Sequence, residues 1–98
     1  MIKAHFCESC PELTVQGHAG YGEYGKDVVC AGASTLVFTL CHELIRLGLE
    51  HERDLSPGYA RLKTNGEARE LFRFVAAGFM VLAESYPGCV EVIVNSEE

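Results

Sequence analysis

A histidine, His18, is followed twelve residues later by a cysteine, Cys30, with the glycine-rich stretch GYGEYGK and Asp27 between them. These residue types at this spacing suit a thiol nucleophile served by an imidazole base. Asp27 stands just before an apolar-periodic run, where an N-cap belongs, because its carboxylate can accept the orphan N–H groups of a helix's first turn. Cys30 then falls inside that first turn, where the positive end of the helix dipole favours a thiolate. Of the five cysteines, Cys7, Cys10, Cys30, Cys41 and Cys89, only Cys30 has this setting.

His18 is expected at the end of a strand that runs toward the helix N-terminus, so a short loop would bring imidazole and sulfur together. Asp27 is a candidate both for orienting that imidazole and for simple capping, and spacing leaves the two open. The first helical amides, near Cys30 and Ala31, are candidate donors to an oxyanion. Gly20, Gly22 and Gly25 give the loop conformations closed to other residues. Tyr21 and Tyr24 are candidate substrate contacts, and residues 20–26 have the character of a lid over an extended peptide. Each piece also has a plainer role: a small buried cysteine, a satisfied polar histidine, an ordinary glycine turn.

The elements that must position these groups follow from periodicity. Ile2, Ala4 and Phe6 alternate with Lys3 and His5, and Leu13, Val15, Gly17 and Ala19 alternate in the same way, so two strands flank the turn ESCPE. Val29, Ala33, Leu36, Val37, Leu40, Leu44 and Leu47 recur at helical steps, predicting a helix from Val28 to about Leu49. Phe38, Cys41 and Ile45 widen its apolar face beyond what one sheet covers. Pro57-Gly58 marks a turn between LEHERDL, a poor strand, and YARLKT. A second helix is expected near Asn65, with Thr64 and Glu67 at capping-box spacing, and Pro87-Gly88 stops it. The segment CVEVIVN closes the chain as a strand. The fold class expected is α+β, a two-layer sandwich of a four- to five-stranded mostly antiparallel sheet with two helices, in one domain over residues 1–98.

Composition narrows the function classes. The 98 residues carry a formal charge of −6 and no basic run, which argues against direct contact with nucleic acid. No apolar run is expected to approach the ~20 residues of a membrane span. The start, MIKAHFCESC, lacks a secretory apolar core, so a cytoplasmic location without membrane association is expected. Five cysteines in that compartment are expected as free thiols. Cys7 and Cys10 form a C-x-x-C, but no second pair completes four zinc ligands, and a hairpin turn is not the helix start of a redox motif. No metal site is expected. His5, His42 and His51 are expected at the surface, Cys41 and Cys89 in the core, and Glu67, Arg69 and Glu70 on a solvated helix face.

The segments G-H-A and G-K-D-V-V-C-A-G-A-S, joined by the glycine-bearing loop, closely resemble the signature of the ribosomal-processing cysteine protease family. The long first helix, the N-G-E-A entry to the second and the Y-P-G stop before a terminal strand extend the resemblance over nearly the whole chain. It implies a bacterial cytoplasmic endopeptidase that removes the N-terminal extension of a large-subunit ribosomal protein. It also implies a homodimer that needs no metal or organic cofactor. Carried onto matching positions, Cys30 would be the nucleophile, His18 the base and Asp27 the candidate third member. Residues 20–26 would be the substrate-responsive lid, and Ser34 matches the family's serine. Where the family has A-A-V-S after the cysteine, this chain has Ala31-Gly32-Ala33-Ser34. Gly32 costs ~1 kcal/mol of helix propensity, and either a looser first turn or a close approach of another group is expected there. The alternative is a non-catalytic ribosome-binding or assembly module on the same fold.

Overall fold

The computed structural model describes residues 1–23 and 27–95. In chain order it contains β1 (Ile2–Cys7), β2 (Glu12–Gln16), α1 (Val28–Arg46), β3 (Glu52–Ser56), β4 (Tyr59–Lys63), a single 3-10 turn (Gly66–Ala68), α2 (Arg69–Ser85) and β5 (Val90–Asn95). The five strands form one sheet in the order β3-β4-β2-β1-β5. Three neighbouring pairs are antiparallel, and β5 lies parallel to β1. The expected α+β sandwich is therefore what forms.

Alternation explains which face of the sheet is covered. β1 buries Ile2, Ala4 and Phe6, while β2 buries Leu13 and Val15. The register sets Phe6 opposite Leu13 and Ala4 opposite Val15, and β4 continues the face with Leu62 opposite Leu13 and Ala60 opposite Val15. Both helices pack on this face. α1 buries Val29, Ala33, Val37, Leu40, Cys41 and Leu44, and α2 buries Phe72, Val75, Ala76 and Phe79. Phe6 and Phe79 meet edge to face with ring centroids 5.9 Å apart, and truncating either to Ala would cost about 3–5 kcal/mol.

The two helices touch through missing side chains. A Cβ at Gly78 would lie 2.6 Å from Leu36 Cδ2, and one at Gly32 would lie 3.2 Å from Leu82 Cδ1. Gly32 thus admits Leu82 of α2, the close approach anticipated for this departure from the family pattern. α1 ends three residues earlier than predicted. Leu49 donates to Leu44 O at 2.9 Å and Gly48 to Ile45 O at 3.0 Å, a Schellman closure around Gly48 at φ +70°.

Three expectations need correction. By length and composition α1 is apolar enough to cross a bilayer, contrary to the expectation that no apolar run reaches that length. In this fold it serves as the core helix. The capping box at Thr64 and Glu67 does not form: buried Thr64 donates to Glu50 O at 2.6 Å, and Asn65 Oδ1 accepts from Glu67 N at 2.9 Å instead. The charged segment at Glu52–Ser56 does form a strand, with all five residues exposed, because β4 pairs with it across the Pro57-Gly58 turn. Charges on such an edge discourage pairing with other chains.

Candidate active site

Asp27 organises the site through backbone donors. Its Oδ1 accepts from Val29 N at 2.9 Å and Cys30 N at 3.1 Å, the N-cap pattern of α1. Its Oδ2 accepts from Tyr21 N at 2.8 Å and Gly22 N at 3.0 Å. One carboxylate therefore ties the start of the loop to the start of the helix. Burial pushes the carboxyl up, but the backbone N–H groups of Gly22, Cys30, Tyr21 and Val29 outweigh it and hold it below the ordinary carboxylate range. Of the two roles left open for Asp27, capping is the one its geometry displays, extended by an anchor on the loop.

Cys30 sits half-buried in the first turn of α1, and its Sγ accepts from Ala19 N at 3.4 Å. The bond places the chain immediately after His18 against the nucleophile candidate. His18 and Cys30 share one cleft of about 290 Å³, at the low end for ligand sites. His18 thus meets the start of α1, but not from a strand: β2 ends at Gln16, and His18 lies in the loop two residues beyond it.

The oxyanion expectation is not. Cys30 N is taken by Asp27 Oδ1, and Ala31 N donates to Asp27 O at 3.0 Å as an ordinary helical bond. Neither is free for a substrate oxygen.

Ser34, one turn after Cys30, lines the cleft, whereas Gly20, Tyr21 and Gly22 do not. Tyr21 packs edge to face on Tyr86 at the end of α2, with centroids 5.1 Å apart. Gly20 adopts φ +72°, but Gly22 does not need positive φ; its N–H is what the site uses. Tyr24, Gly25 and Lys26 lie outside the described residues, so the outer part of the lid does as well.

Sequence reasoning missed one wall entirely. Leu55, Ser56, Pro57, Gly58 and Tyr59, from the β3–β4 hairpin, line the cleft opposite Ala33, Val37 and Phe38 of α1. Pro57-Gly58 was legible as a turn, but nothing local shows that the turn folds back onto His18. The walls are largely apolar and suit bulky apolar side chains.

The other sulfurs are placed differently. The Ser9 hydroxyl and the Cys10 backbone hold the Cys7 thiol below its usual value. Burial pushes the Cys41 thiol up. All five cysteines are free thiols. Among the described residues, no group of three or more His, Cys, Asp or Glu side chains could hold a metal. His5 and His42 are exposed as expected, whereas His51 is half-buried.

Comparison with known proteins shows the family and the fold. The family model for cysteine protease Prp matches residues 1–91. The ribosomal processing cysteine protease Prp of Staphylococcus aureus strain Mu50 is 32% identical over 84 residues, covering 76% of this chain and 77% of that protein. Among solved structures, the essential ribosomal processing protease Prp from S. aureus, in complex with a covalently linked product peptide, superposes with a TM-score of 0.87 at 24% identity. The match covers 97% of this chain and 100% of that one. SMU.848 from Streptococcus mutans superposes with a TM-score of 0.75 at 29% identity, over 99% and 96% of the two chains.

Proposed function

Because this chain belongs to the Prp family of cysteine proteases, we propose that it removes the N-terminal extension of a bacterial large-subunit ribosomal protein, with Cys30 as nucleophile and His18 as general base and acid. The observation that carries the assignment is the shared cleft of Cys30 and His18, with the Ala19 N–H on the sulfur. His18 takes the thiol proton, and Cys30 Sγ attacks the scissile carbonyl carbon to give a tetrahedral intermediate. Collapse breaks the C–N bond as His18 returns the proton to the leaving amine. Water, deprotonated by His18, then hydrolyses the thioester and frees Cys30. The substrate lies extended between α1 and the β3–β4 hairpin, with an apolar side chain between Val37, Phe38 and Leu55. The relatives' ribosomal processing activity and their peptide-bound structures support the substrate class.

Its test is a precursor peptide spanning the extension, incubated with the purified chain and mapped by mass spectrometry. A single internal cut that releases the extension is expected. Intact peptide, with the precursor still bound, would favour the non-catalytic assembly module instead.

With a ribosomal substrate, the enzyme works in the cytoplasm, with no membrane partner and no direct contact with nucleic acid. It acts as a homodimer in this proposal. Phe74 and Val81, seven residues apart on α2, are 80% and 61% exposed, a costly apolar face for a lone subunit. Sedimentation equilibrium should give twice the 10.7 kDa of one chain, and Phe74→Glu should halve it. A wild-type monomer at micromolar concentration overturns the dimer.

A further inference from the structure

The tip of the β3–β4 hairpin touches the imidazole that the mechanism depends on. Gly58 has φ +73°, and a Cβ built there would lie 2.9 Å from His18 Nε2 and 3.4 Å from its Cε1. Real Cβ atoms do not come so close, so the ring occupies space that only a glycine leaves open. The backbone at the same residue reinforces the fit, since Gly58 O accepts from Gly17 N at 2.9 Å, immediately before His18. Gly17 in turn has φ +100°, and a Cβ there would lie 2.3 Å from Met1 O. The backbone just before His18 is therefore tied to a turn forty residues further on, and that turn's Gly58 faces the ring.

We propose that Gly58 is a positioning residue for the reaction: the bare Pro57-Gly58 turn is a seat that fixes the His18 ring relative to Cys30. This rests on His18 being the base. A side chain at position 58 would displace the ring while leaving the sulfur, the Asp27 cap and the apolar cleft walls in place. Displacing a catalytic group by about 1 Å can cost on the order of 100-fold in rate, with much less effect on binding.

The decisive variant is Gly58→Asn, because asparagine tolerates positive φ and lets the turn form, while its Cβ meets the same ring. Gly48→Asn is the control for backbone strain, with φ +70° and no atom within 4 Å of a Cβ placed there. For Gly58→Asn, kcat should fall about 10- to 100-fold with KM within about twofold, and the pH profile of Cys30 alkylation should move. Gly48→Asn should leave all three unchanged. In a His18→Ala background, Gly58→Asn should bring no further loss, since there is no ring left to displace. Wild-type kcat and alkylation profile in Gly58→Asn, or an undiminished effect without His18, overturns the seat. Full activity in His18→Ala alone instead overturns the role of His18, so the two failures are separable. Should Gly58→Asn not fold, Gly58→Asp, which also tolerates positive φ, carries the same Cβ and the same expected fall in kcat.

Discussion

Cys30→Ala should lose roughly 10⁴- to 10⁶-fold in cleavage rate, the scale on which removing a covalent nucleophile acts. His18→Ala should lose roughly 10²- to 10⁴-fold, the range of general acid–base catalysis. The double variant should be little worse than Cys30→Ala, because every step His18 serves belongs to the covalent route through Cys30. Neither substitution should unfold the chain: Cys30 is half-buried, and Ala retains the helix propensity of the first turn. The rate is read by single-turnover cleavage of the precursor peptide in a Cys7→Ser background. That background removes from any alkylation control a second thiol held below its usual value. Equal cleavage by wild type, Cys30→Ala and His18→Ala would remove both residues from the mechanism.

The second large effect is expected at Asp27, and it separates anchoring from orienting. In Asp27→Asn, one amide position can still accept from Val29 and Cys30, so the cap of α1 survives in part. The other becomes an NH₂ donor facing the N–H groups of Tyr21 and Gly22, which reverses two attractive bonds. Activity should fall about 10- to 100-fold, the range for losing hydrogen bonds to a charged acceptor. Amide exchange should accelerate at Tyr21 and Gly22 before it accelerates in the body of α1. Unchanged exchange at both residues, with the same loss of rate, would contradict the anchoring role.

The pH dependence at Asp27 has a definite sign. Its folded carboxyl titrates below the ordinary value, so its stabilising contribution is complete above the unfolded value of ~3.9. It is lost only as pH falls from there through the lower folded value. The gap in thermal stability between wild type and Asp27→Asn should therefore be constant near neutrality and close in acid. A gap that narrows between pH 5 and 8 would point to another group.

The legible parts of this protein are those in which neighbours in sequence are neighbours in space. Alternation over residues 2–6 and from Leu13 onward exposed the buried face of the sheet, though the second strand stops at Gln16 and not at Ala19, and the 3.6-residue pattern after Asp27 gave α1 and its cap. The parallel β1–β5 pair was not legible, because it joins the two ends of the chain through a contact with no local signature. Thr64 was misassigned for a related reason: its hydroxyl found a buried carbonyl at Glu50, and a tertiary bond took precedence over a local cap. The Glu52–Ser56 strand was weak by composition and formed through pairing with β4.

The same division runs through the site. Residue order alone settled the thiol at a helix start, with a histidine upstream and a capping carboxylate between them, since dipole and cap are properties of a few consecutive residues. Only folding could decide that Asp27 spends both oxygens on backbone amides, that the first amides of α1 are already engaged, and that a distant glycine turn seats the imidazole. Those outcomes depend on which groups meet across long stretches of chain, where packing and competition for hydrogen-bond partners set the result.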